Sequence, residues 1–421
     1  MSHKGAIAIS SFMEPFSSHW RMAKGELSQA LKESLVVIDS SVLLDLYRVT
    51  PIARKEMIES LLTVKENIWV PYQVALEFHR NRVEAARDQL AFYDETCKSL
   101  ETAQNQALQR LNEFANRSAL DGNEKKRLKE PLEDAFRAAI DRVKSHQGVF
   151  DLTISRVLND DPVLRALAEL LDGRVGQPLP EDDYVKAQAE AAHRRDNRIP
   201  PGYKDRAKRT NPDGDYLWWE QTLIKAADVR KPVLIISNDE KEDWVNKRLD
   251  FSLGPREELV EEIRRRADVA LRIVNFATFL ESVKVGTAVS VSRETLSQAN
   301  IARRQSEKRS RRIIVSRAVV ESFEEFAVRA LEGRGQELSE SMARQAKAAD
   351  DPDMKELLDT EVARHQDAIE MYQRWLQQLR EAVSRASRLK DDLVIHLEDD
   401  ALRRTLLKRV YEAREGGADN P

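Results

Sequence analysis

Four short apolar runs, each bounded by polar residues, predict the strands of one α/β domain. They cover residues 35–38, 68–71, 233–237 and 270–274. Runs of this length rich in Val, Ile and Leu are typical of strands that are covered on both faces. A helix-like stretch follows each run, so strands and helices are predicted to alternate along residues 35–78 and again along 214–285. We therefore predict an α/β fold with an open, mostly parallel sheet.

A three-four spacing of apolar residues predicts long helices between the second and third runs. The spacing extends over residues 83–114 and resumes over 128–143, after a turn at 121–123. An apolar stripe of this kind packs against a partner helix, so these segments predict a helical hairpin. With a short helix at 162–171 and a further one after it, the hairpin forms an insertion over about residues 83–195.

The last part of the chain is predicted to be all-α. From residue 313 the three-four spacing returns and continues to Leu397, with a break at Lys390. We favour an antiparallel hairpin within the chain; the alternative is a coiled coil with a second copy or a partner protein. The predicted organisation is an N-terminal lead-in over 1–33, an α/β domain over 34–285, a linker or helix start over 286–312 and a helical domain over 313–421.

Composition restricts the class of protein further. The chain has 421 residues, of which 33% are charged, and a net charge of −4, so any nucleic-acid contact must come from local basic patches. Its single cysteine, Cys97, allows no internal disulfide and fits a reducing compartment. No apolar run approaches the ~20 residues that span a membrane, and the first residues lack the apolar core of a signal peptide. We expect a cytoplasmic protein without membrane contact.

Four acidic residues lie where the predicted strands give way to helices. Asp39 and Asp239 come at the ends of the first and third runs, Glu77 follows the second run, and Asp215 begins a helix. The carboxyl ends of parallel strands form the crevice where ligands bind. Carboxylates that converge there repel one another unless a cation lies between them, and hard oxygen ligands suit Mg²⁺ or Mn²⁺. This pattern is typical of metal-assisted phosphodiester hydrolysis.

Six ordered segments resemble the PIN-domain nuclease superfamily, most closely the bacterial branch with a large helical insertion. The segments are VVIDSSVLLDLYR (36–48), IWVPYQVALEFHRNR (68–82), LLDGRVG (170–176), RIPPGYKD (198–205), DGDYLWWEQTLIKA (213–226) and LIISNDEKEDWV (234–245). The resemblance implies a Rossmann-like α/β/α fold, a divalent-metal site and endonuclease activity, most often on RNA. It covers roughly residues 35–285. It also has one departure, because Thr-Asn commonly follows the first acid in that superfamily and Ser40-Ser41 follow it here.

The resemblance implies that the four acids are catalytic and bind the metal. Asp243, four residues after Asp239, is predicted to join them as a ligand or to hold a water. Structural roles are the alternatives: Asp39 or Asp215 could cap a helix, and Glu77 could form an ion pair with Arg80 or Arg82. The predicted ligands are Asp39, Glu77, Asp215, Asp239 and Asp243.

A cluster of cations precedes the third acid and could hold a phosphate backbone beside the site. A solvated charged loop is the alternative interpretation. The predicted substrate-binding residues are Ser41, Arg82, Arg198, Lys204, Arg206, Lys208 and Arg209. A second basic run at 303–312 could be a nucleic-acid arm, a contact for an acidic partner or a plain linker. The tryptophans at 218, 219 and 244 are expected to pack in the core.

The leading functional hypothesis is a Mg²⁺- or Mn²⁺-dependent endoribonuclease, for which the resemblance suggests a role in stress or phage defence. A DNA nuclease is the second hypothesis, because RNA and DNA are both phosphodiesters. A catalytically silent PIN-like module that binds nucleic acid or a protein partner is the third.

Overall fold

The chain divides into two units, Met1–Ser306 and Glu307–Pro421. The computed structural model describes residues 16, 18–22, 24–204, 211–249, 251–287, 289–310, 312–347, 352–389, 392–397 and 399–415. The strands are β1 (Leu35–Ile38), β2 (Ile68–Trp69), β3 (Val233–Ile236), β4 (Val245–Arg248), β5 (Phe251–Pro255), β6 (Leu271–Val274), β7 (Arg312–Ser316), β8 (Ser387–Leu389) and β9 (Asp392–His396). The helices of the first unit are α1 (Lys24–Glu33), α2 (Ser40–Asp45), α3 (Pro51–Leu62), α4 (Tyr72–Arg117), α5 (Gly122–Val149), α6 (Ile154–Asn159), α7 (Pro162–Leu171), α8 (Glu181–Asn197), α9 (Gly214–Val229), α10 (Glu257–Ala267), α11 (Phe276–Gly286) and α12 (Arg293–Ser310), which crosses the boundary. Helices α13 (Arg317–Lys347), α14 (Pro352–Ser384) and α15 (Asp400–Glu415) belong to the second unit.

The four apolar runs form one parallel sheet, as their pattern predicts. The strand order is β2-β1-β3-β6, and each neighbouring pair is parallel. Every residue of β1 and β3 is buried because these are the two central strands. Their register aligns Leu35 with Val233 and Ile38 with Ile236, so the residues that follow the two strands emerge side by side. The predicted parallel α/β architecture is confirmed.

The helical insertion begins within a single unbroken helix. The helix predicted after Pro71 and the one predicted from Val83 are both parts of α4, which has 46 residues. A capping box at Asp121 then starts α5, which packs against α4 as the predicted hairpin. Asp161 similarly begins α7, accepting hydrogen bonds from two backbone N–H groups of its first turn.

A small antiparallel hairpin, β4 and β5, follows the third strand and was not predicted. Its pattern gave no strand signal, because most of its residues are exposed or only partly buried. The segment predicted as a linker or helix start contains α12. Ala299 and Ala302 of that helix are buried, and Gln298 contacts Thr50 in two hydrogen bonds.

The second unit is mainly helical, as predicted, but it also contains a three-stranded antiparallel sheet. The strand order is β7-β9-β8. Ile313 and Val315 are buried, as are Leu393 and Ile395, so β7 and β9 each contribute alternate residues to the core. We expected helix over these residues, and that expectation was wrong. Period-two burial in runs this short is hard to separate from three-four spacing.

The long helices of the second unit form the predicted hairpin. Phe326 of α13 meets Tyr372 of α14, with their ring centroids 6.0 Å apart. Further along α13, Arg344 pairs with Glu361, which lies earlier in α14, at 2.7 Å. The two helices are therefore antiparallel. No helix of the described ranges has the length and apolar character needed to cross a membrane.

Candidate functional site

Asp39 is the residue that directly follows β1, and three hydroxyl groups hold its carboxylate. Oδ2 accepts hydrogen bonds from Ser41 at 2.5 Å and from Ser237 at 2.7 Å, and Oδ1 accepts one from Ser40 at 3.3 Å. Asp39 occupies the N-cap position of α2 but makes no side-chain capping bond. The carboxylate therefore contacts the three hydroxyl groups and does not cap the helix. Although it is buried, it has hydrogen-bond donors of its own, so burial alone does not demand a metal.

Glu77 lies in the second turn of α4 and points to the same place. Its Oε2 lies 3.1 Å from the Ser40 hydroxyl, whose single proton can be donated either to Glu77 or to Asp39. Its Oε1 accepts from the side-chain amide of Asn211 at 2.6 Å and from that of Gln73 at 3.5 Å. Gln73 also donates to the amide oxygen of Asn211 at 3.1 Å. Two amides thus fix the orientation of the second acid.

Asp215 and Asp239 share one ammonium group. Lys241 Nζ lies 2.7 Å from Oδ2 of Asp239 and 3.2 Å from Oδ2 of Asp215. The Trp244 indole donates a further hydrogen bond of 3.3 Å to Asp215. Asp215 is in the first turn of α9, and Asp239 follows β3. The third and fourth acids are therefore brought together across a lysine.

The charge at this site is predominantly negative, and the effect is visible at Asp239. Burial raises the pKa of the Asp239 carboxyl, and the charges of Asp215 and Asp39 raise it further, while Lys241 acts in the opposite direction. The carboxyl ends of β1 and β3 thus gather more negative charge than one ammonium offsets. A divalent cation would relieve this repulsion.

The donor set fits a hard divalent cation, although the acids are not yet arranged around one. Carboxylate oxygens are the ligands that Mg²⁺ and Mn²⁺ prefer. Within the described part of the chain, no three acidic, histidine or cysteine side chains form a ready cage for a metal. The four acids instead form two pairs, one bridged by Ser40 and the other by Lys241.

Asp243 has contacts that favour a structural role over the predicted role in metal binding. It is fully buried, and its Oδ2 accepts the backbone N–H of Gly202 at 3.0 Å and that of Lys204 at 3.2 Å. Gly202 has a φ of 92°, and a Cβ placed on it would lie 3.5 Å from Cβ of Asp215. Asp243 therefore anchors a loop that passes directly beside the third acid.

The structure separates the residues predicted to bind substrate. Ser41 lies in the site, where it contacts Asp39. Arg82 is directed elsewhere: it donates to Asp161 at 2.7 Å and to the carbonyl of Val157 at 2.8 Å, a structural role within the insertion that we did not anticipate. Arg198 is exposed at the end of α8, and Lys204 forms an ion pair with Glu242. Arg206, Lys208 and Arg209 lie outside the described residues.

The tryptophans pack in the core, as expected, and they also support the site. Trp218 and Trp244 are stacked with centroids 4.3 Å apart, and Trp219 meets Trp244 edge-on at 6.0 Å. All three are almost fully buried. Because Trp244 also donates to Asp215, this aromatic cluster fixes the position of the third acid.

Sequence reasoning missed three polar residues that complete the site. They are Gln73, Asn211 and Lys241. Gln73 lies four residues before Glu77, one helical turn away, and this spacing was the only signal that could have indicated it. Asn211 and Lys241 reach the acids through loops, where spacing along the chain predicts little about contact.

A parallel sheet with acids at the carboxyl ends of its central strands is typical of α/β domains that bind ligands at this edge. The model of the family described as PIN like domain matches residues 35–259, just over half of the chain. The chain therefore belongs to this PIN-like family, within the PIN-domain nuclease superfamily. No curated protein and no solved structure matches it.

Proposed function

We propose that this chain is a divalent-metal-dependent endonuclease that hydrolyses RNA. The observation that carries the proposal is the convergence of four acids from separate elements at one end of the sheet. Ser40 links Asp39 to Glu77, and Lys241 links Asp215 to Asp239. Such a cluster concentrates negative charge in one place, and this charge favours the binding of a divalent cation.

When bound at this cluster, the metal would polarise the phosphoryl group and make water a stronger nucleophile. The hydroxyls around Asp39 and the amides around Glu77 keep these two carboxylates in fixed rotamers. Orientation by neighbouring hydrogen bonds of this kind is a regular requirement of metal sites. The products are expected to carry 5′-phosphate and 3′-hydroxyl ends.

Binding of the polymer is assigned to cations around the loop that Asp243 anchors. Lys204 lies in this loop and Arg198 precedes it, while Arg206, Lys208 and Arg209 follow directly in the sequence. The preference for RNA over DNA, and a role in stress or phage defence in the cytoplasm, follow from the family resemblance alone.

A second candidate is a PIN-like module that binds nucleic acid without cutting it. One observation favours it: each of the four acids already has a donor from the protein. In particular, a lysine lies between Asp215 and Asp239. A site satisfied in this way can persist without a metal.

The deciding experiment is cleavage of end-labelled RNA and single-stranded DNA by the purified full chain with Mg²⁺, Mn²⁺ or EDTA. Asp39→Asn and Asp239→Asn are the test variants, and Mn²⁺ affinity is measured on the same samples. Asp228→Asn is the matched control, because Asp228 is exposed and pairs only with Lys225 among its recorded contacts.

Metal-dependent cutting that both test variants abolish and the control retains would support the nuclease. The polymer that is cut would identify the substrate class. If neither polymer is cut and the two variants bind Mn²⁺ as the unsubstituted protein does, the catalytic proposal fails and the binding module is favoured.

A further inference from the structure

Lys241 is the one cation recorded between two of the candidate ligands in the described residues. Its ammonium bridges Oδ2 of Asp239 and Oδ2 of Asp215 at 2.7 and 3.2 Å. The lysine side chain is 13% exposed, and Asp215 and Asp239 are 10% and 24% exposed, so solvent screens the three charges only in part. A cation in this position stands where a metal shared by the two carboxylates would have to bind.

We infer that Lys241 is the internal counterion of this site, and that a divalent cation binds Asp215 and Asp239 only after the ammonium has left. The inference rests on the proposed metal site. It adds a positioning residue that sets metal affinity and is not itself a ligand.

The Lys241 carbonyl accepts the backbone N–H groups of Trp244 at 3.0 Å and Val245 at 3.1 Å, so we expect the exchange to involve the side chain alone. The neighbouring Glu240 accepts from Arg303 and from Asn275, each at 2.9 Å. The backbone N–H of Lys241 donates to Oδ1 of Asp239 at 3.3 Å. A lysine has a flexible four-carbon stem, and its ammonium can move several ångströms while the backbone stays in place.

The two cations are alternatives because they would use the same oxygen atoms. The Lys241 ammonium lies 2.7 Å from Oδ2 of Asp239 and 3.2 Å from Oδ2 of Asp215. A metal bound to these two atoms would lie next to the ammonium, and like charges held close together in a partly buried site repel one another. The metal and the ammonium therefore compete for the same oxygen atoms.

The first test is the Mn²⁺ affinity of the full chain, measured by calorimetry or by the paramagnetic resonance of free Mn²⁺. Lys241→Met keeps the length of the stem and removes the charge, and we expect it to bind Mn²⁺ several-fold more tightly. Lys241→Arg keeps a cation, and we expect no such gain. Lys225→Met is the matched control, because it removes a lysine that pairs with Asp228 and not with the four candidate ligands.

A second readout guards against misfolding of the methionine variant. In the unsubstituted protein, reductive methylation of lysines is followed by mass spectrometry with and without saturating Mg²⁺. We expect Lys241 to be methylated faster with Mg²⁺, because the displaced ammonium becomes accessible, while the rate at Lys225 stays the same.

Equal or weaker Mn²⁺ binding by Lys241→Met, or a methylation rate at Lys241 that Mg²⁺ leaves unchanged, would overturn the inference. Its failure is distinguishable from failure of the proposed function. If Asp39→Asn loses Mn²⁺ binding but Lys241→Met gains none, the metal site stands and the counterion role falls. If the unsubstituted chain and Lys241→Met both bind no Mn²⁺, the metal site itself is refuted.

Discussion

Asn211 donates a hydrogen bond of 2.6 Å to Oε1 of Glu77, although 134 positions separate the two residues in the chain. The asparagine has a φ of 56°, a left-handed conformation that Asn tolerates better than most residues. The second acid is therefore oriented by a residue outside its own helix, three positions before the start of α9.

We expect Asn211→Ala to lower nuclease activity or metal affinity by about 10–100-fold, the usual effect of losing a partner that orients a metal ligand. Glu77 would keep its contacts with Ser40 and Gln73 but lose the 2.6 Å hydrogen bond from Asn211. Single-turnover cleavage and Mn²⁺ titration measure the effect. Asn197→Ala is the control, because its side chain contacts only His193 among its recorded partners. Equal losses in both variants would contradict the assigned role.

Gly214→Ala is expected to disrupt the site through size alone. A Cβ at this position would collide with the side chains of Asn211 and Glu77. Relieving the collision requires both side chains to move, so activity should fall even though alanine favours a helix. Gly333→Ala is the control in the interior of α13, since nothing lies within 4 Å of its added Cβ, and a gain of roughly 0.5–1 kcal/mol in stability is expected there. Thermal melting and cleavage rates of both variants check this prediction, which fails if Gly214→Ala remains fully active.

Asp243→Asn tests whether this acid binds metal or anchors the loop. An amide oxygen can still accept the N–H groups of Gly202 and Lys204, so we expect little change in Mn²⁺ affinity. Asp243→Ala should release the loop and raise KM for RNA more than it lowers kcat. Steady-state kinetics with a Mn²⁺ titration separate the two roles. A loss of Mn²⁺ binding in Asp243→Asn would restore this residue to the ligand set.

Arg82→Met should reduce stability and leave affinity for the polymer unchanged. Arg82 pairs with Asp161, which is 4% exposed on its side chain and also accepts the Tyr47 hydroxyl at 2.6 Å. Losing a hydrogen bond to a buried charged group costs about 1.5–3 kcal/mol. Urea unfolding measures the free energy, and filter binding of RNA measures the affinity. Weaker RNA binding without a loss of stability would indicate that Arg82 contacts substrate after all.

Asp239→Asn should stabilise the metal-free protein at neutral pH. Because the pKa of Asp239 is raised on folding, chiefly by burial, the folded state binds more protons than the unfolded state in the window above the unfolded value of about 3.9. Stability contributed by this group therefore falls as pH rises through the window. In EDTA, the variant should unfold at a higher temperature than the unsubstituted protein near neutral pH. The difference should disappear below about pH 3, where the carboxyl is protonated in both states.

The main parts of the sheet and two of its acids were predictable because burial leaves little choice. A run such as 35–38 or 233–236 has no polar face, so it must be a central strand, and Asp39 and Asp239 follow at the ligand-binding end. The partners of these acids were not predictable. Lysine is usually a surface residue, so the sequence gives no reason to place Lys241 in the site. Its role becomes visible only from its contact with Asp215, which lies on α9.

In the second unit, the prediction succeeded where the pattern was long and failed where it was short. The three-four spacing of α13 and α14 extends over many turns, so the hairpin was apparent. Strands β7 and β9 have five residues each, and their alternate burial at Ile313 and Leu393 resembled a continuation of the helical spacing.

The pairing of β1 with β3 has a consequence for folding during synthesis. Ser237 bonds to Asp39 across 198 positions, and β1 aligns with β3 over an equally long stretch of chain. During synthesis, the first strand must wait without its central neighbour until the third leaves the ribosome, and contacts this distant in sequence form slowly. Until β3 has emerged, a nascent chain therefore has only Asp39 and Glu77 on an unfinished sheet. The four acids can come together only after Asp239 has left the ribosome, so a chain interrupted before this residue lacks the complete acidic site.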